Sequence, residues 1–130
     1  MKAGRLWMAG IALWACAACA AEDRVLVYTR NHVTGGKGFV HDNIATNVAV
    51  IRELAATAGF AVDVSDDPAV FTDANLRQYK AIVFANSNNE AFADDAQREA
   101  FQRYLRAGGG FAGIHSATGY MSGAERAMRC

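Results

Sequence analysis

The sequence contains little proline, little cysteine and no excess of charge of either sign. Among 130 residues there are 1 proline and 3 cysteines, and 13 acidic residues balance 13 basic ones. No basic run or basic helix face is present, which argues against nucleic-acid binding because that function needs a positive surface. A single proline and 12 glycines are typical of an ordered chain rather than a low-complexity one. The length suits one domain.

Long hydrophobic runs are also missing, apart from one near the N-terminus. Lys2 and Arg5 precede the uncharged apolar residues 6–15, and residues 18–20 read Ala-Cys-Ala, a pattern that signal peptidase cleaves. The run is shorter than the roughly 20 residues of a transmembrane helix. The sequence therefore predicts a signal peptide over residues 1–20, and a secreted or periplasmic protein with no membrane span after cleavage.

Two alternatives for this N-terminus stay open. The apolar run can be an uncleaved membrane anchor, or the protein can be a lipoprotein attached through Cys19 or Cys16. Cleavage after residue 20 would leave 11 basic residues against 13 acidic ones, so the exported part would be mildly acidic. It would also leave Cys130 as the only cysteine, which excludes an internal disulfide.

Beyond the N-terminal region, strand-like and helix-like patterns alternate. Short runs of β-branched and aromatic residues alternate with segments whose apolar residues recur at helical spacing. The pattern predicts strands at 24–30, 60–64, 79–85 and 111–115, long helices at about 43–58 and 95–107, and one helical turn at 73–77. This order is typical of an α/β protein with a doubly wound parallel sheet and helices on both faces.

Both long helices have recognisable ends and one apolar stripe each. Asp42 or Asn43 can cap the first helix, and Gly59 ends it. Asp94 is the predicted N-cap of the second helix, and Gln97 follows three residues later, as in a capping box. The predicted buried stripes and the predicted exposed i,i+4 ion pair are as follows: Ile44, Val48, Ile51, Leu54 and Ala55 on the first helix; Phe101, Tyr104 and Leu105 on the second; and the pair Glu99–Arg103.

All three histidines fall near the carboxyl ends of predicted strands. His32 and His41 lie in the loop after the first strand, residues 86–90 (Asn-Ser-Asn-Asn-Glu) follow the third, and His115 ends the fourth. In open parallel sheets, ligands bind outside these strand ends. Imidazole accepts and donates protons near neutral pH. The sequence therefore predicts a functional site at this edge of the sheet, with His41 and His115 as its main candidates.

Each of these residues also has a purely structural interpretation. His41 can help to cap the first helix, and His32 can be a solvated loop residue. The run 86–89 can be plain turn chemistry, because asparagine and serine favour turns. His115 can be a buried, hydrogen-bonded structural histidine. No H-x-x-x-H or Cys/His spacing supports a metal, so no metal site is predicted, and the residues do not determine whether the protein uses a cofactor.

Four segments resemble the ThuA-like family, which is named for trehalose utilisation. They are RVLVYTR (24–30), GFVHDNI (38–44), YKAIVFANSN (79–88) and DDAQREAFQRYLRAGGGFAGIHSAT (94–118). The most specific patterns are GF-x-HD-x-I and Y-x-x-AGGGF-x-GIH-[AS]-A. The resemblance covers almost all of the chain after the predicted signal peptide up to Thr118, so residues 21–130 are interpreted as one ThuA-like α/β domain.

The resemblance implies a flavodoxin-like fold of the class I glutamine amidotransferase-like superfamily. In that superfamily a cysteine nucleophile usually occupies the turn where this sequence has His115, so glutaminase activity is not expected. The family's link to sugar utilisation implies a small-molecule carbohydrate as the binding partner. His41 and His115 then become candidate catalytic residues, acting as general acid or base. Asn86, Asn88 and Ser116 become candidate substrate-binding residues.

The sequence departs from the family pattern after Thr118. Residues 119–130 lack the aromatic-rich continuation and the further histidine that the family normally has, so the sheet is expected to be incomplete at its C-terminal edge. Three hypotheses for the chain follow. It is a carbohydrate-active enzyme domain, a non-catalytic sugar-binding module, or an inactive truncated fragment.

Overall fold

The structure, a computed structural model, describes residues 22–33, 38–87, 89–115 and 117. The predicted signal peptide, most of the glycine-rich loop at 34–38 and the divergent tail at 119–130 lie outside these residues. The described elements, in chain order, are β1 (Arg24–Tyr28), α1 (Ile44–Ala58), β2 (Ala61–Ser65), a 3-10 turn (Pro68–Val70), α2 (Asp73–Leu76), β3 (Ala81–Ala85), α3 (Asp95–Arg106) and β4 (Gly110–Ile114). None of the described helices has both the length and the apolar character needed to cross a membrane.

The four described strands form one sheet in the order β2-β1-β3-β4. All three strand pairs are parallel. β2 is added beside β1 at one edge of the sheet, whereas β4 is added beside β3 at the other edge. The strand order therefore reverses between β1 and β3. This arrangement confirms the predicted α/β fold of the flavodoxin-like, doubly wound type, in which ligands bind at that reversal.

The predicted elements are all present, with ends that differ by one or two residues. β3 begins at Ala81 because the Tyr79 amide donates to Leu76 O and closes the turn after α2. β4 begins one residue early because the Gly110 amide already joins the ladder at Lys80 O, 2.9 Å away. The same strand ends before His115, which has a left-handed backbone with a φ of 55°. β1 is shorter than predicted, and β2 is shifted by one residue.

The main core lies between the sheet and α3 and is largely aromatic. The Phe84 ring lies 5.3 Å from the Tyr28 ring, 5.3 Å from the Phe101 ring and 5.2 Å from the Phe111 ring, measured between centroids. Side chains alternate along a strand, so the residues between these point to the opposite face of the sheet. There Val27 is fully buried on the side covered by α1, whose own buried residue is Ala55.

The predicted apolar stripes are confirmed for α3 and only in part for α1. On α3, Phe101 is buried, and Tyr104 and Leu105 pack against the core. On α1, Leu54 is 59% exposed, so its predicted burial was wrong. Consecutive helical residues are about 100° apart, so Leu54 lies well off the line through Ala55 that faces the sheet. The predicted ion pair between Glu99 and Arg103 forms, with 3.7 Å between the charged atoms.

Two of the three predicted caps are confirmed. The Asp94 side chain accepts a hydrogen bond from the backbone N–H of Gln97 at 2.9 Å and so caps the start of α3. Gly59 ends α1 in the left-handed region, with a φ of 76°. The side-chain cap predicted at the start of α1 was wrong for Asn43, because its side-chain oxygen accepts a hydrogen bond from Asn86 instead.

Candidate functional site

The candidate site begins with two residues at the carboxyl ends of neighbouring strands. Ala85 of β3 and Ile114 of β4 are register partners, so the residues that follow them, Asn86 and His115, leave the sheet side by side. Both have left-handed backbones, with φ values of 58° and 55°. Residues with side chains adopt this conformation rarely, although asparagine and histidine do so more often than most. Such conformations concentrate at functional sites.

The two predicted catalytic histidines are in direct contact. The ring centroids of His41 and His115 lie 4.6 Å apart at an interplanar angle of 66°. His41 is half-buried and His115 is exposed. The fold therefore brings together two residues that are far apart in the sequence, while their catalytic roles stay predictions. His32 is exposed, and its carbonyl accepts from the Glu90 amide at 3.3 Å.

A network of asparagine side chains, here called the amide network, lies beside the histidines. It consists of Asn31, Asn43, Asn86 and Asn89. The side-chain amide of Asn86 donates to the side-chain oxygen of Asn43. The side-chain amide of Asn31 donates to the backbone carbonyl of Asn86 at 2.9 Å. The Asn89 amide donates to the side-chain oxygen of Asn31. The network thus ties the loops after β1 and β3 to the start of α1.

Asn86 occupies a different environment from the one its predicted role implies. Its side chain is fully buried, and its side-chain oxygen has no hydrogen-bond partner among the residues that the structure describes. This placement suits a residue that holds the strand end in position, and contact with a substrate stays a prediction. Asn88 and Ser116, the other two predicted substrate-binding residues, lie outside the described residues.

Glycine at position 38 allows the His41 loop to approach the amide network. A Cβ added at Gly38 would lie 2.6 Å from the side-chain oxygen of Asn89, which is closer than carbon and oxygen can pack. The side-chain amide of Asn89 also donates to the backbone carbonyl of Phe39 at 3.1 Å. The close approach to Asn89 gives a physical reason for the glycine in the GF-x-HD-x-I pattern, and the bond to the Phe39 carbonyl fixes the backbone beside it.

Sequence reasoning did not propose Phe39 or most of the amide network as parts of the site. Asn31 and Asn89 come shortly after predicted strands, and Asn43 is a predicted helix cap. The available signal was the density of asparagines after β1 and β3, because amides in such loops are well suited to bridge neighbouring backbones. Phe39 could also have been singled out from the sequence, because it is an aromatic residue in a polar loop.

The arrangement can transfer protons and form hydrogen bonds. A neutral imidazole has one donor and one acceptor nitrogen, and two adjacent imidazoles offer both functions within one contact distance. Among the residues that the structure describes, no group of three or more His, Cys, Asp or Glu residues is placed to hold a metal ion. The chemistry supported by these side chains is general acid–base chemistry.

A pocket of about 460 Å³ lies at the opposite edge of the sheet. Its lining includes Tyr79, Lys80 and Gly109, which come just before β3 and β4. Ligands of this fold type bind at the carboxyl ends of the strands, where the left-handed residues and the histidine pair are found. The size of the pocket therefore does not make it the better candidate.

Comparison with known proteins is consistent with this geometry. The family model for ThuA, described as trehalose utilisation, matches residues 24–128. The crystal structure of a ThuA-like protein from Bacteroides uniformis ATCC 8492 aligns with a TM-score of 0.59 and 26% sequence identity. The alignment covers 78% of this chain and 39% of that chain, so this chain spans less than half the length of that protein. No curated protein matches the chain.

Proposed function

Because this chain belongs to the ThuA family of trehalose utilisation, we propose that it acts on a carbohydrate at the carboxyl ends of β1, β3 and β4. The observation that carries the proposal is the contact between His41 and His115, with His115 in a left-handed turn at a strand end. The contact supports the proposal because two imidazoles, which can accept and donate protons, lie where the fold type binds ligands. Trehalose or a related glycoside is the proposed substrate class.

In this proposal the two histidines divide the roles of acid and base. One imidazole takes a proton from a reacting sugar hydroxyl or water, and the other donates a proton to the departing oxygen. Asn88 and Ser116 are proposed to bind sugar hydroxyls. Asn86 is proposed to support the site indirectly by holding the end of β3 in position, since its side-chain amide donates to Asn43. The N-terminal pattern supports a further proposal, that the protein works outside the cytoplasm.

The test is the effect of His115→Ala on turnover of trehalose and related glycosides by the full chain. We expect kcat to fall by about 100-fold or more, because general acid–base groups contribute about 10²–10⁴-fold. His32→Ala is the matched control, since His32 lies near the same strand ends and is exposed. Turnover by His115→Ala at the wild-type rate would contradict the proposal.

His115→Gly separates the role of the imidazole from backbone strain. Glycine adopts the left-handed conformation of residue 115 without cost, whereas alanine does not. Both variants lack the imidazole, so both should lose turnover equally. Turnover retained in His115→Gly alone would mean that the alanine variant fails through its backbone, and this would also contradict the proposed catalytic role.

A second candidate function is sugar binding without chemistry. It is favoured by the exposure of His115, because the reacting atoms of most enzymes are shielded from bulk water. Calorimetry with a panel of disaccharides distinguishes the two functions. Heat of binding without product favours the binding module, and product formation favours the enzyme.

A further inference from the structure

Phe39 is exposed in a way that no other phenylalanine of the chain is. The sequence has 7 phenylalanines. Six of them are buried or half-buried, most of them in the aromatic core, whereas the Phe39 side chain is 65% exposed. Exposed apolar residues are common singly. Because Phe39 lies beside the histidine pair, its exposed ring is a candidate contact for a ligand.

The Phe39 ring contacts the candidate site directly. Its centroid lies 4.9 Å from the His41 ring centroid, at an interplanar angle of 74°. His41 in turn contacts His115 at 4.6 Å. Three rings therefore form a continuous row at the carboxyl ends of the strands, with the exposed phenylalanine at one end and the exposed His115 at the other.

The backbone of Phe39 is held in place by buried groups. Its carbonyl accepts from Asn89, whose side chain is buried and also bonded to Asn31. The preceding residue, Gly38, packs against the same Asn89 side chain. An aromatic ring on a fixed backbone loses little conformational freedom when a ligand covers it, so binding on its face costs little entropy.

We propose that Phe39 is a sugar-stacking residue, whose ring packs against the C–H face of a glucopyranose unit next to the histidine pair. This inference rests on the proposed carbohydrate function. In the glucopyranose units of trehalose the ring hydroxyls are equatorial and the glycosidic oxygen is axial, so the face opposite that oxygen presents C–H groups, and an aromatic ring offers a broad dispersion contact to them. Phe39 thereby selects for gluco-configured sugars and positions the sugar ring beside the histidine pair.

The test compares trehalose binding by three variants of the full chain, using titration calorimetry. Phe39→Ala should raise the dissociation constant about tenfold, the amount expected for loss of one aromatic contact. Phe39→Tyr keeps the ring and should bind within about twofold of wild type. Val40→Ala is the matched control, because Val40 is the adjacent residue, is 52% exposed and has no aromatic ring. Circular dichroism establishes that each variant is folded.

The outcomes separate this inference from the proposed function. If wild type binds trehalose and Phe39→Ala binds equally well, the stacking role is wrong and the carbohydrate function stands. If Phe39→Ala and Val40→Ala weaken binding to the same extent, general apolar surface rather than the ring is responsible, and the stacking role is again wrong. If wild type gives no heat with trehalose, both proposals are contradicted.

Discussion

At the scale of single residues, backbone strain coincides with chemistry. Asn86 and His115 are the two described non-glycine residues with positive φ, and they follow register partners on adjacent strands. Such conformations cost on the order of 1–3 kcal/mol and persist only where surrounding contacts enforce them. For Asn86 those contacts are its hydrogen bonds to Asn43 and from Asn31. For His115 one such contact is the packing of its ring on His41.

Tyr28 shows how a polar group is accommodated beneath the site. Its ring is fully buried in the aromatic core, and its hydroxyl donates to the Ala91 carbonyl at 2.5 Å. The carbonyl of the same residue accepts from the Ser87 hydroxyl at 3.1 Å. These two bonds join β1 to the loop after β3. Burial raises the pKa of the Tyr28 phenol, because the charged phenolate would lose its hydration.

This raised pKa predicts a loss of stability at alkaline pH. The folded state keeps Tyr28 neutral, whereas the unfolded chain ionises it near its ordinary pKa of about 10. Its contribution is therefore complete below about pH 10 and is lost progressively above it, as the unfolded state gains by releasing the proton. Denaturant unfolding at neutral pH and at two values above 10 should show the decline.

Tyr28→Phe is the matched variant for the pH prediction. It removes the ionisable hydroxyl and keeps the ring, so we expect a lower free energy of unfolding at neutral pH and a shallower decline above pH 10. Part of the decline should persist, because burial also raises the pKa values of Tyr79 and Tyr104. An equally steep decline in both proteins would contradict the assignment to Tyr28.

At the scale of elements, α3 is the helix that the sequence specifies best. It begins with a side-chain cap at Asp94, has Arg103 and Arg106 in its last turn, where positive charge is favourable, and carries one buried stripe. Arg103 also pairs with Asp73 of α2 at 3.0 Å and so joins the two helices on this face. α1 has no side-chain cap hydrogen bond at its start, no acidic residue in its first turn and no basic residue in its last turn. Its position depends more on contacts with the sheet and the amide network.

Asp94→Ala should destabilise the protein by about 1 kcal/mol, because the Gln97 amide loses its acceptor at the start of α3. Asp94→Asn is the control, since asparagine caps helices about as well as aspartate. Free energies from urea unfolding measure both. A stability for Asp94→Ala equal to that of wild type would show that this cap contributes nothing. A loss in Asp94→Asn as large as that in Asp94→Ala would show that the charge of Asp94, rather than its capping hydrogen bond, stabilises the helix.

At the scale of the whole molecule, the two faces of the sheet are unequal. The face covered by α3 holds a dense cluster of aromatic rings, while the α1 face buries Val27 and Ala55 and leaves Val50 and Leu54 exposed. Stability should therefore depend mainly on the α3 face. A natural domain is stable by only about 5–15 kcal/mol, so one large core substitution consumes a substantial fraction of the total.

Phe84→Ala should destabilise the chain by about 3–5 kcal/mol, because it leaves a cavity among Tyr28, Phe101 and Phe111. Leu54→Ala removes a large side chain that is mostly exposed and should change stability by less than about 0.5 kcal/mol. Thermal melts followed by circular dichroism test both. Equal melting of the two variants would contradict this division, and a wild-type chain without a cooperative melt would favour the fragment hypothesis.

The sequence by itself determined the order of elements, the cap at Asp94, the end of α1 at Gly59 and the edge of the sheet that holds the histidines. These features depend on short-range causes: the spacing of apolar residues, the turn preferences of glycine, and the rule that parallel strands share one carboxyl edge. Strand ends were less predictable, because hydrogen bonds from neighbouring elements decide them. The exposure of Leu54 was less predictable because it depends on how α1 is rotated about its axis against the sheet.

Only the tertiary structure decided how the site is assembled. The contact of His41 with His115 depends on the register of β3 and β4, and on how the loop after β1 crosses them. The amide network depends on the close approach of Gly38 to Asn89, which are separated by fifty residues of chain. No local pattern encodes such distances, because they result from packing the whole sheet. The same packing leaves Phe39 exposed beside the histidines while six other phenylalanines are covered.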